Sequence, residues 1–203
     1  MAHVIDKTFE FCYGHRVHTQ KLNGEYAADL KCACRHLHGH EGKLQVFLTN
    51  RDDGNKLDQT GMVTDFRHTE WLKKWINEYV DHQFILDRSD PLYEQIIGEH
   101  VPIDPITIHK GVNTFEVAGW KVHEGYYKNL TGPEIEYYEG FFLVDFVPTS
   151  ENLSKWIAKL VDIRMRPLNV RVHHVDWWET PKSRSTYYMD LTNEKVEVAF
   201  GGG

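Results

Sequence analysis

Cys34-Arg35-His36-Leu37-His38-Gly39-His40 is the stretch on which the reading of this chain turns. It leads into Lys43-Leu44-Gln45-Val46-Phe47-Leu48, a strand-like run. If His38 opens that strand, His38 and His40 leave the same face, because side chains alternate along a strand. Two imidazoles on one face at that separation suit a small tetrahedral cation such as zinc, and a third ligand must then come from elsewhere. Gly39 keeps the opposite face free of a side chain at that point. Cys34 stands four residues before His38, too close to be an obvious third ligand. Beside two metal-bound histidines it sits in a positive field, which favours thiolate and makes it a base or a nucleophile. A solvent-facing histidine-rich loop is the rival reading of the same seven residues.

Composition narrows the class. The 203 residues make one substantial domain and are marginal for two. Hydrophobic residues are 41% and charged residues 26%, the balance of a soluble globular protein. A net charge of −7 argues against a nucleic-acid binder, which needs a basic stripe, but allows an anionic small substrate at a local patch. No apolar run approaches the roughly 20 residues of a membrane span. Residues 1–7 lack the apolar core of a signal peptide. Cys12, Cys32 and Cys34 are odd in number and clustered, which speaks against a disulfide framework and for a reducing, cytoplasmic setting.

Upstream, Phe9, Phe11 and Tyr13 alternate with Glu10 and Cys12 in strand periodicity that ends at Gly14-His15. His15 continues the apolar face. Alone, such a histidine is more often satisfied or exposed; across a strand pair from His38 and His40 it is the candidate for the missing ligand. Residues 16–37 read as a long polar connection, and long ordered loops are often functional. A first helix is capped by Thr64 or Asp65 and carries Leu72, Ile76, Tyr79 and Val80, with Trp71 and Trp75 as packing residues. A second begins near residues 148–151, with Ser150 as its cap and Glu151 at the positive end of its dipole. Leu153, Trp156, Ile157, Leu160 and Val161 form its stripe.

After Pro167, strict alternation puts Leu168, Val170, Val172 and His174 on one face and Asn169, Arg171, His173, Val175, Trp177 and Glu179 on the other. Further strands are expected over 186–191 and 195–200. Residues from about 88 to 146 read as a β-rich insertion within a single domain spanning 1–203, extended over 106–110, 114–122 and 134–147. Such a piece makes a poor core alone and should lie at the rim of the site or on an outer edge.

The pattern resembles the 6-pyruvoyl-tetrahydropterin synthase superfamily, and most closely its 6-carboxy-tetrahydropterin synthase branch. The pieces occur in order. Phe11-Cys12-Tyr13-Gly14-His15 is similar to the first zinc-ligand motif, and Cys34 to His40 to the catalytic cysteine followed by two further ligands. Residues 61–66 resemble the opening of the first helix, and Asp81-His82 the motif whose histidine belongs to a catalytic relay. Residues 148–153 resemble the start of the second helix, and Trp178-Glu179-Thr180 the motif whose glutamate holds the pterin ring. The likeness covers residues 4 to about 87 and 147 to about 190. The spacing from Cys34 to His38 is that of the carboxy branch. Glu41-Gly42, Val80 and the long excursion from about 88 to 146 depart from the pattern.

The resemblance implies the tunnelling fold, an α+β arrangement of an antiparallel four-stranded sheet with two helices on one face. It implies zinc on His15, His38 and His40, with positions open for substrate hydroxyls. Cys34 is then the base, and His82, oriented by Asp81, the relay. Glu179 anchors the pterin, with Thr149, Ser150 and Glu151 beside it at the helix start. The implied substrate is 7,8-dihydroneopterin triphosphate, converted to 6-carboxytetrahydropterin with release of acetaldehyde and triphosphate on the way to queuosine and related 7-deazaguanines. Arg16, Arg35 and Lys43 are the cations nearest the motifs for the triphosphate. Subunits of this fold assemble as homo-oligomers, commonly hexamers, with sites between subunits, so Asp81, His82 and Glu179 need not share a chain with Cys34. Two rivals stand beside this reading: the sibling 6-pyruvoyl-tetrahydropterin synthase, and a non-catalytic zinc-stabilised oligomer or binding module.

Overall fold

The computed structural model describes residues 3–52, 57–111 and 114–189. In chain order the strands are β1 (Ile5–His15), β2 (His38–Asn50), β3 (Gln83–Asp87), β4 (Ile103–Gly111), β5 (Thr114–Val122), β6 (Phe141–Val144), β7 (Val170–Thr180) and β8 (Ser183–Tyr188). The α-helices are α1 (Glu70–Tyr79), α2 (Tyr93–Ile96), α3 (Gly132–Glu139) and α4 (Ser150–Met165). Strands β1, β2, β7 and β8 are neighbours in that order and antiparallel throughout. With α1 and α4 they form the expected α+β core of four strands and two long helices. The sheet then continues past β1 through β3, β6, β5 and β4 to eight strands, and its β1–β3 and β3–β6 pairings are parallel.

Alternation explains the core face. Phe9, Phe11 and Tyr13 of β1, Leu44, Val46 and Leu48 of β2, and Val170, Val172, Val175 and Trp177 of β7 are all buried. Leu72, Trp75 and Ile76 of α1 and Leu153, Trp156, Ile157, Leu160, Val161 and Met165 of α4 close over that side. Apolar surface leaving water on this scale is the main stabilising term. One buried carboxylate ties helix to sheet: Asp162 of α4 accepts the Val172 N–H at 3.1 Å and pairs with Arg166 at 3.1 Å. An unpaired charge there would be costly.

Strand β7 does not keep strict alternation. Phe47 pairs with His174 and the next residue, Leu48, pairs with Val172, so His173 is an extra residue in the ladder. This bulge reverses the phase of everything downstream. Val175, Trp177 and Glu179 therefore share a face with Val170 and Val172, where the alternating pattern had set them apart. Other differences are local. Thr149 rather than Ser150 caps α4, its hydroxyl accepting the Asn152 N–H at 3.2 Å. Residues 132–139 form a helix instead of a strand, because Thr131 and Glu134 make a capping box with Pro133 in the first turn. The expected strand over 195–200 and the end of that over 186–191 lie outside the described residues.

The segment read as an insertion, from about 88 to 146, joins the sheet and packs on the helices. Trp156 of α4 donates its indole N–H to the Ala118 carbonyl of β5 at 2.8 Å. Ile108 of β4 and Ala118 belong to the same buried core as α1 and α4. Trp75, Trp156 and Phe142 stack edge to face or tilted, with centroids 5.2–6.0 Å apart. The helices thus pack against both the antiparallel strands and the β4–β5 hairpin. No helix among the described residues is long and apolar enough to cross a membrane.

Close approach sets one sequence requirement in the insertion. A Cβ at Gly119 would fall onto the Phe142 ring and within 2.7 Å of the Leu143 carbonyl oxygen. Neither neighbour can retreat inside a packed core. Gly119→Ala is expected to destabilise the protein by about 1–3 kcal/mol through overpacking. Urea melts of the two proteins measure this; an unchanged midpoint would contradict the tight β5–β6 packing.

Candidate active site

The site is assembled at the ends of β1, β2 and β7 and the start of α4. Pairing of β1 with β2 sets His15 opposite His38 and Tyr13 opposite His40. Directly opposed residues bring their side chains together on one face. The three imidazole centroids lie 4.5, 4.9 and 5.0 Å from one another. One ligand nitrogen from each ring falls within 4.8 Å of the other two, an arrangement that could hold a metal ion. Gly42 makes room behind them: a Cβ there would meet the rings of Phe11 and Tyr13 at 2.7–3.0 Å.

Backbone carbonyls fix the tautomers. His15 Nδ1 donates to the Pro148 carbonyl at 2.6 Å, and His38 Nδ1 donates to the His36 carbonyl at 2.8 Å. Each bond leaves Nε2 with its lone pair toward the cluster, the arrangement that orients metal-binding histidines. His15 Nε2 and His40 Nε2 stand 3.1 Å apart. Two nitrogens bound to one tetrahedral zinc at about 2.0–2.1 Å have a comparable separation. Burial, with His38 and His40 adding to it, pushes His15 down to about 4. Burial and His38 lower His40 as well. Neutral imidazole is the ligand form, so the donor set fits zinc.

Glu179 stands beside the cluster, with Oε1 3.9 Å from His15 Nε2. Since His15 is held neutral, this contact is not an ion pair. Burial, then nearby Glu151, raise the Glu179 carboxyl, while His38 and the Ser150 N–H pull it back. That N–H is one of the unsatisfied donors in the first turn of α4. The cap Thr149 spends its hydroxyl on Asn152, and Ser150 Oγ lies 3.4 Å from a Glu151 oxygen.

Cys34 lies in a 3₁₀ turn over Ala33–Arg35, half-buried, its carbonyl accepting the Val17 N–H at 2.8 Å. Burial first, then Cys32 and Glu179, raise its thiol, and a bond with Gln20 opposes them. The protein's own groups thus favour the neutral thiol, the reverse of the shift expected beside a bound metal.

Asp81 and His82 form the expected pair, Nδ1 to Oδ1 at 2.9 Å, and Asp81 also accepts the Cys12 N–H at 2.9 Å. The His82 side chain is 81% exposed. With His38 and His40 it borders an open hollow of about 640 Å³, which Cys34 does not line. The structure therefore gathers His15, His38, His40 and Glu179, sets Cys34 near enough to Glu179 to feel its charge, and leaves the His82 ring at the mouth of the hollow that His38 and His40 also line.

The connection over 16–37 is anchored by residues whose structural role has no local signature in the sequence. Arg16 pairs with Asp90 and donates Nε to the Arg35 carbonyl at 2.7 Å; His18 pairs with Asp87 at 3.0 Å. Gln20 accepts from the Cys32 thiol. Asp87, which ends β3, and Asp90 are both buried, and only their close spacing could have hinted at them. Of the suggested triphosphate cations, Arg16 is committed to Asp90, Lys43 lies over the Trp178 ring at 4.1 Å, and Arg35 is exposed.

Fold and site together define an α+β protein with a sheet-borne three-histidine centre able to hold a metal ion. The profile of the 6-pyruvoyl tetrahydropterin synthase family matches residues 4–190, and the chain belongs to that family. It is 29% identical over 192 residues to the 6-carboxy-5,6,7,8-tetrahydropterin synthase of Aquifex aeolicus, covering 90% of this chain and 96% of that one. The Rickettsia conorii protein of the same name is 37% identical over 87 residues, 41% of this chain and 51% of its own. Among solved structures, an uncharacterized protein of Wolinella succinogenes superimposes with a TM-score of 0.80 at 39% identity, covering 93% of this chain and 98% of that one.

Removing one imidazole of three should abolish metal retention. His38→Ala is expected to purify with less than about a tenth of the zinc of the parent protein by elemental analysis. Full zinc in that variant would refute the three-histidine centre.

Proposed function

We propose that this protein is a 6-carboxy-5,6,7,8-tetrahydropterin synthase acting on 7,8-dihydroneopterin triphosphate, in the cytoplasmic biosynthesis of queuosine and related 7-deazaguanines. The observation that carries the reading is the half-buried Glu179 carboxylate beside the three-histidine cluster. A purely structural metal site has no use for it. The near full-length likeness to the Aquifex aeolicus protein of that name supports the same choice.

His15, His38 and His40 would hold zinc, which would supply Lewis acidity toward the side-chain hydroxyls of the substrate. Cys34 is the base that takes the proton from the adjoining substrate carbon. His82, its Nδ1–H held by Asp81, carries Nε2 free to accept and return protons. Glu179 receives the N–H groups on the guanidine-like edge of the pterin, for which a carboxylate offers two acceptors. The start of α4, from Thr149 to Glu151, borders that pocket, with Ser150 orienting Glu179 through its N–H. An exposed His82 fits a homo-oligomer in which the site closes between subunits, hexamers being the expected form.

Incubation of the zinc-loaded protein with dihydroneopterin triphosphate should release acetaldehyde and triphosphate and give 6-carboxytetrahydropterin by mass spectrometry. A pyruvoyl product without acetaldehyde would assign the sibling activity instead. Cys34→Ala should keep fold and zinc while turnover falls by about 10²–10⁴-fold, the usual cost of a lost acid–base group. Near-full turnover in that variant would remove Cys34 from the chemistry, and loss of zinc would make it a ligand.

A further inference from the structure

The insertion reaches the Asp81–His82 turn through one side chain, Lys121 of β5. Its Nζ donates to Gln83 Oε1 at 2.7 Å and to the Glu139 carbonyl at 2.6 Å. An ammonium offers donors and no acceptor, so it also settles which way the Gln83 carboxamide faces. The next residue, Phe84, donates its N–H to the Gly140 carbonyl at 2.7 Å. On the other side, the His82 N–H donates to the Cys12 carbonyl at 2.6 Å, and Asp81 receives the Cys12 N–H. The turn is hung between β1 and the insertion.

His82 needs that support. Its φ of 58° is the left-handed region, which a residue with a side chain adopts at a cost. Its ring is mostly in solvent, with Asp81 as its partner among the described residues. The place of the imidazole is therefore set by the backbone on either side of it and not by packing. Lys121 is also an expensive residue to keep there. Burial pushes its amine down to about 8, against the pull of Glu139 and Glu78. An apolar side chain would fill the space without that cost, so the bonds to Gln83 and Glu139 are what the amine contributes.

We propose that Lys121 is a positioning residue: by pinning Gln83 to the α3–β6 junction it holds His82 where the ring can exchange protons. The proposal rests on the relay role given to His82 above. It gives the insertion a task in the reaction, beyond covering the helices.

The test is a double-mutant cycle with a spectroscopic readout. Lys121→Met keeps the aliphatic stem and removes the donors. It is expected to lower kcat about tenfold with KM within about twofold in the parent protein, and to lower kcat by less than about twofold in a His82→Ala background. The His82 imidazole resonance, assigned by its loss in His82→Ala, should shift in Lys121→Met, and Lys121→Arg should restore both kcat and the resonance in part. Gln83→Leu removes the acceptor instead and should act in the same direction, should Lys121→Met fold poorly. Equal losses in both backgrounds would show a merely structural role and overturn the proposal, as would unchanged kcat with an unchanged resonance. If the parent protein does not turn over dihydroneopterin triphosphate, the functional reading fails, and the His82 resonance alone decides: moved, Lys121 positions the ring; unmoved, it does not.

Discussion

The 2.6 Å hydrogen bond from His15 Nδ1 to the Pro148 carbonyl joins residues 133 positions apart and binds the end of β1 to the start of α4. It acts on both structure and chemistry. It seats the helix over the sheet at the point where the ligand face emerges, and it commits the imidazole to one tautomer. Ser150, two residues along, then directs its N–H to Glu179. The His36 carbonyl does for His38 what Pro148 does for His15. These backbone groups all lie just outside regular elements or in the first turn of a helix, where no ladder partner claims them. A site built at the ends of strands thus obtains oriented donors and acceptors without further side chains.

The bulge at His173 is the second constraint. Without it, β7 would send Val175, Trp177 and Glu179 to the face away from α4, and the site would lose its carboxylate. With it, the core residues Val170, Val172, Val175 and Trp177 fall in one row that ends at Glu179. Trp177 donates its indole N–H to the Tyr13 hydroxyl at 3.0 Å, fixing β7 to the strand that carries His15. Packing and site therefore depend on the same irregularity. Bulges are common where a strand must re-aim a side chain.

The segment from about 88 to 146 enlarges the fold by extending what is there and by adding a small second buried cluster. Its strands extend the existing sheet, and its hairpin covers helix surface that already needed covering. Its buried residues join the clusters around Trp75 and Trp156 and around Leu86 and Leu143. Because β6 runs parallel to β3, its first residues come beside the start of β3, next to His82. A peripheral element thereby touches the turn that carries a candidate relay group.

Much of this was legible in the residues themselves. Period-two alternation placed Phe9, Phe11, Tyr13 and His15 on one side of β1 and His38 and His40 on one side of β2, and the strand register brings both onto the same face of the sheet. The stripes of α1 and α4 were equally plain, because burial of one helix face leaves a periodic mark in sequence. The helix over 132–139 was in principle readable too, through its capping box. What could not be read was long-range. The bulge at His173 leaves no mark in composition, since either phase of β7 gives a plausible alternation; only the register against β2 selects one. The Pro148 and His36 carbonyls have no side-chain signature at all. The burial of Asp87 and Asp90 against His18 and Arg16, and the reach of Lys121 to Gln83, join segments far apart in the chain. The sequence by itself determined which elements form and which side chains could ligate, because those follow from local periodicity and residue chemistry. Only the tertiary structure decided which backbone groups orient them and which face Glu179 takes, because those depend on where the chain returns upon itself.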